Sequence, residues 1–169
     1  MPQLGLYLLK IGFAVEIVTT HPALFSLFSE FANERELIDH LKMIRKISSQ
    51  KNDRTGLDFF IQFAQAGGIV APRIPSIKDL REEIDQQRPS VCSLTHRILF
   101  KGTFKPKSSF HFNVVTGYDS ERVFVNDPDW EDEFGGEHAH TIHDYFYAVY
   151  ANVYGFIDGA SIMKIIPKK

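Results

Sequence analysis

A single cysteine, Cys92, stands in the 169 residues of the chain. One thiol excludes an intrachain disulfide framework and a cluster of metal-bound thiolates, and it makes a reducing cytoplasm the expected compartment. Charge of one sign is also lacking. The 19 Lys and Arg residues nearly balance 21 Asp and Glu, for a net charge of −2 and a pI near 6.4, so the basic footprint of a nucleic-acid binder is absent. There is no long apolar run: Ile11 to Val18 is broken by Glu16 and is too short to cross a bilayer. Met1-Pro2-Gln3 has neither the basic start nor the cleavage site of a signal peptide. No internal repeat and no low-complexity tract interrupts the chain. Neither nucleic acid nor membrane is expected as a partner, and no cofactor or metal is assigned.

Hydrophobic residues make up 44% of the sequence, with 15 Phe and 6 Tyr, which suits a packed core. The length suits one domain over residues 1–169. Leu4 to Lys10 reads as the end of a helix stopped by Gly12, its stripe of Leu4, Leu8 and Leu9 having no cap and no partner in sequence. Ala14 to Thr19 reads as a strand and His21-Pro22 as a turn. Leu24, Leu27, Phe28 and Phe31 repeat at helical spacing. Asn33 is placed to cap a helix with Leu37, Leu41 and Ile44 inside. Ser48 to Arg54 reads as a loop, Leu57 to Ala64 as a helix closed by Gly67-Gly68, and Ile69 to Ala71 as a short extended piece. Ser76-Ile77-Lys78-Asp79 is close to a capping box and opens a helix through Gln87. Val91 to Phe100 reads as a strand, Thr141 as the cap of a helix bearing Tyr145, Phe146, Val149 and Tyr150, and Ser161 to Ile166 as the last strand. Helices first and an antiparallel sheet second is the α+β order.

Ser108 to Pro128 carries the strongest local signal. Phe112, Val114 and Val115 lead into a Gly117-Tyr118-Asp119-Ser120-Glu121 turn, and Val123, Phe124 and Val125 lead out, the pattern of a β-hairpin. His111 opens the first strand and Asp127 closes the second, so the fold of the hairpin brings them to one end. Parity decides whether they meet. A three-residue loop, Asp119 to Glu121, sets Asp127 opposite Asn113 and on the face of His111; a two-residue loop sets it opposite Phe112, on the other face. On pattern alone, a strand-capping His and a turn Asp are equally natural roles for these residues.

A strand that opens with His, continues Val-Val-Thr-Gly-Tyr-Asp, and is followed by a Val-rich strand ending Asn-Asp-Pro resembles the bacteriocin-processing (double-glycine leader) cysteine peptidases. It is more similar still to their stand-alone peptidase C39-like relatives. The resemblance implies a papain-like α+β fold with N-terminal helices packed on a C-terminal antiparallel sheet, and a peptide or protein substrate. By motif it implies that His111 is the catalytic base and Asp127 the group that orients it. The family's nucleophile opens its first helix, in a Gln-rich segment followed by Cys-Gly. Nothing like that precedes Leu4, so the domain is expected to be inactive alone, without the first helix of the fold, and to depend on an N-terminal segment or a second chain for its thiol.

Cys92 is a poor substitute. If Val91 to Phe100 pairs with Phe110 to Gly117, His111 lies near Ile98, and Cys92 is about 20 Å along the strand at roughly 3.3 Å per residue. His96 then shares a face with His111. Lys101, Lys105 and Lys107 read as solvated loop residues. Glu137-His138-Ala139-His140-Thr141-Ile142-His143-Asp144 is the richest run of possible metal ligands, although its spacing matches no standard motif. Two alternatives to a cysteine-peptidase-type domain therefore stand: a non-catalytic peptide-binding domain, and a metal-dependent hydrolase built on His138, His140 and His143.

Overall fold

The computed structural model describes residues 1–24, 31–99, 110–128, 137–152 and 159–168. Helix α1 (Pro2–Lys10) leads into strand β1 (Phe13–Thr19), followed by α2 (Glu34–Ile47), α3 (Lys51–Gln65), β2 (Ile69–Pro72), α4 (Ile77–Ile84), β3 (Ser90–Thr95), the short α5 (His96–Leu99), β4 (Phe110–Tyr118), β5 (Arg122–Asn126), β6 (Glu137–Thr141), α6 (Ile142–Ala151) and β7 (Ser161–Pro167). The strands form one seven-stranded sheet in the order β2-β1-β7-β3-β4-β5-β6. Every pair is antiparallel except β1–β2. The class is α+β.

Helices cover both faces of the sheet. Residues opposite each other in a ladder share a face, and the faces alternate along each strand. Val15, Ile17, Val91 and Met163 turn to one side and pack with Leu37 and Leu41 of α2 and with Leu57, Phe60 and Phe63 of α3. Cys92, Leu94, Val115, Val123, Val125 and Ile162 turn to the other and pack with Leu80 of α4 and with Tyr145, Phe146 and Val149 of α6.

Met1 is the N-cap of helix α1 and Pro2 its first residue, where a missing N–H costs nothing. Leu8 and Leu9 find partners, because they pack against the α2–α3 core; Leu4 is exposed. The packing is close enough to require glycine. A Cβ at Gly5 would lie 2.6 Å from the Phe63 ring, and one at Gly68 2.3 Å from it.

Other boundaries follow local chemistry. Asn33 caps α2, its Oδ1 accepting from the Glu36 N–H at 3.1 Å. The polar stretch read as a loop shrinks to Ser48–Gln50, since α3 starts at Lys51: Lys51 and Arg54 are good helix formers, Asp53 suits a first turn, and this turn of α3 faces solvent. The Ser76 N–H donates to Asp79 Oδ2 at 2.9 Å, as a capping box requires. Helix α4 ends at Ile84, short of Gln87, which has a φ of 58°. Strand β3 stops at Thr95 and not at Phe100, because its ladder partner begins at Phe110 and nothing described pairs beyond that point. Leu27, Phe28, Lys101, Lys105 and Lys107 lie outside the described residues.

Candidate active site

The β4–β5 hairpin closes on Asp119. Its Oδ1 accepts the N–H groups of Glu121 at 2.8 Å and Arg122 at 2.6 Å, an Asx-type turn that favours Asp at this position. Residues 119–121 separate the strands, but the innermost pair is Tyr118 with Val123, so four residues lie between paired positions and the parity at the turn is even. A bulge between Val115 and Gly117 then takes up one residue, and beyond it Val115 pairs with Val125 and Val114 with Asn126. One step further, Asn113 stands opposite Asp127. The expected loop, residues 119–121, does lie between the strands; the pairing beside it is shifted by one residue, and the bulge takes that shift back. Without the bulge, Asp127 would oppose Val114 and point to the wrong face.

With the parity set, His111 Nε2 and Asp127 Oδ1 are hydrogen-bonded. Both side chains are enclosed, at 9% and 2% exposure. An ionised carboxylate can only accept, so Nε2 is the donor in this contact. Asp127 lies just past the end of β5, and Pro128 follows it, a residue that cannot continue a ladder.

Three more polar side chains share this face. Asn113, 1% exposed, follows His111 by two residues on β4. Its Oδ1 accepts from the Tyr145 O–H of α6 at 2.7 Å. Tyr145 is fully buried; burial first, and then the neighbouring Cys92, push its phenol well above the usual range. Cys92 is opposite Asn113, and Leu94 is opposite His111. The expected register, with His111 beside Ile98, is therefore corrected. β3 ends earlier than its apolar pattern suggests, and Cys92 lies two residues from the partner of His111, on the same face. Burial pushes its thiol up to about 12. A thiol that stays protonated is a poor nucleophile, so Cys92 is a core residue despite its position.

In the His-rich run, residues 137–141 form β6. His138 and His140 pair with Val125 and Val123 and so share a face, with ring centroids 6.4 Å apart. The His140 ring stacks on Tyr145 at 6.4 Å. His143 does not join them. It sits in the first turn of α6, where Thr141 Oγ1 caps the Asp144 N–H at 3.1 Å, and its side chain is 89% exposed. Among the described residues, no group of three or more His, Cys, Asp or Glu side chains could hold a metal ion, so the three-histidine alternative does not assemble. The His96 side chain lies outside the described residues.

Asn113 and Tyr145 were not singled out from sequence as parts of the site. A signal existed for the first: Asn113 has the parity of His111 in an otherwise apolar strand. Tyr145 gave none, being one of several aromatics on the inner side of a helix. A groove of about 590 Å³ lined by Phe31, Leu37, Val70 and Pro72 lies at the β2 edge of the sheet and does not touch His111.

Residues 39–157 match the model of the Peptidase C39-like family, and the chain belongs to that family. His111 and Asp127 both fall inside the matched residues. No curated protein matches the chain, and no solved structure does.

Proposed function

We propose that this peptidase-family domain supplies the base and its orienting carboxylate to a cysteine-peptidase reaction on peptide or protein substrates, with the thiol delivered by an N-terminal segment or a second chain. The observation that supports it is the His111–Asp127 hydrogen bond inside the family-matched region. Asp127 holds the Nε2–H tautomer, and His111 Nδ1 takes the proton of the incoming thiol. The thiolate attacks the peptide carbonyl, the C–N bond breaks, and the same nitrogen returns the proton to the leaving amine. Water then hydrolyses the thioester, with His111 again as base. Cys92 is not the thiol in this reading, because its sulfur is fully buried and protonated. The narrower parts of the resemblance, a papain-like architecture, a relation to leader processing and a cytoplasmic location, belong to the same proposal.

The test is peptide cleavage by the chain alone and by the chain supplied with an N-terminal segment containing Gln and Cys-Gly. The expected result is an inert chain alone and thiol-dependent cleavage with the segment, abolished by His111→Ala. Cleavage by the chain alone that disappears in Cys92→Ser would contradict the assignment.

A further inference from the structure

We propose that Asn113, held by Tyr145, is a positioning residue for the His111–Asp127 pair: its amide NH2 is the second donor to the Asp127 carboxylate. This rests on the role proposed above for the pair and adds a residue to it. Register supplies the first ground. Val114 pairs with Asn126, so the next position sets Asn113 across from Asp127 on the face that carries His111. Opposed side chains in a ladder have Cβ atoms about 4.5–5.5 Å apart, well within reach of an amide and a carboxylate.

Orientation supplies the second. The Tyr145 O–H donates to Asn113 Oδ1 at 2.7 Å, which fixes the oxygen toward α6 and turns the NH2 away from it. Tyr145 is itself fully buried in α6 and has little freedom to let the amide flip. The third ground is that Asn113 Nδ2 is buried and meets no hydrogen-bond partner. An unsatisfied buried donor destabilises the fold, so a polar residue here needs a compensating role. On this face Cys92 offers a weak acceptor and Asp127 a strong one. Rotation about χ2 of Asp127, a soft torsion, closes the contact while the Tyr145 bond holds the amide. The carboxylate is then gripped from two sides, by the His111 Nε2–H and the Asn113 NH2. The imidazole plane becomes fixed with respect to the sheet, and Nδ1 is held in one direction. A side chain of similar size without the amide would fill the same space and remove that donor.

The experiment reads the His111 ring by long-range ¹H–¹⁵N NMR in the full chain, with Asn113→Leu and Tyr145→Phe as variants and the melting temperature measured beside each. Tyr145→Phe keeps the ring packing and removes only the hydroxyl, so it serves if Asn113→Leu fails to fold. The expected result is a resolved, slowly exchanging Nε2–H proton in the wild type. In both variants that proton should exchange with solvent at least several-fold faster, and the Nε2–H tautomer should lose population. Variants that melt lower but keep the wild-type proton lifetime and tautomer would overturn the inference and leave Asn113 a packing residue. The readout does not depend on turnover. A protein that cleaves nothing yet shows the change supports this inference while failing the reaction proposed above.

Discussion

The two faces of the sheet are built differently. Under α1, α2 and α3 the buried set is apolar, from Val15 and Ile17 to Phe60 and Phe63, and its buried polar groups are mostly hydroxyls such as Thr19 and Ser161, bonded to each other at 2.7 Å. Under α4 and α6 lie the buried charged side chains among the described residues, Asp79, Glu83, Asp127 and Lys164, together with Asn113. An apolar layer can be packed for stability alone. A buried ion is retained only where partners compensate its lost hydration. The difference teaches that one face stabilises the sheet, while the other accepts the cost of buried polar groups, and the site lies on that second face.

The largest expected effect tests the first face. Phe63 fills the space left by Gly5 and Gly68, so Phe63→Ala should lower stability by about 3–5 kcal/mol in chemical denaturation. The His111–Asp127 contact should survive in whatever fraction remains folded. Loss of that contact in a protein that is still folded would mean the two faces are not independent.

The second effect is acid sensitivity on the other face. Burial pushes the Asp79 carboxyl up, but hydrogen bonds from Arg73, Ser76 and Lys164 outweigh it and hold the group well below the usual range. Arg73 Nη1 is 3.0 Å from Asp79 Oδ2 and Lys164 Nζ 3.1 Å from Oδ1. A depressed carboxyl contributes stability that is complete above its unfolded pKa of about 3.9 and declines as pH falls further toward the folded value. Asp79→Asn should therefore destabilise the protein at neutral pH, by about 3–5 kcal/mol if Lys164 is left without its partner, and should flatten the stability profile below about pH 4. A variant with the same acid profile as the wild type would show that the buried charges are not compensated in this way.

A smaller effect concerns the thiol. With Cys92 buried and its thiol pushed up to about 12, a thiol reagent at mild alkaline pH should label it only after unfolding. Labelling of the native protein at the rate of a free thiol would reopen Cys92 as a reactive group on the face of His111. Smallest of all, His143→Ala should leave the melting temperature and the His111 contact unchanged, since that side chain points to solvent.

How much of this was legible in the chain depends on whether the signal was local. Asn33, Ser76 and Thr141 announced three helices because a cap needs only its own turn. The hairpin was legible because its β-branched runs flank an Asx turn. The loop at residues 119–121 was legible, but the one-residue shift beside it and the bulge that takes it back were not, since a bulge leaves no clear mark in sequence. The end of β3 was not legible: Ile98 and Leu99 look like strand, and only the start of β4 at Phe110 decides where the ladder stops. Nor was the polar set around Tyr145, because it joins β3, β4 and α6 across long separations in sequence. The second partner of α1 was hidden for the same reason, since Phe63 is far along the chain.

In the proposed reaction Asp127 fixes the imidazole of His111 for proton transfer at Nδ1. The most direct measurement is the His111 tautomer, from ring ¹⁵N shifts of the neutral imidazole in the wild type and in Asp127→Asn. The account predicts a single Nε2–H tautomer in the wild type and a mixture in Asp127→Asn. A mixture in the wild type, or an Nδ1–H tautomer indifferent to residue 127, would contradict it.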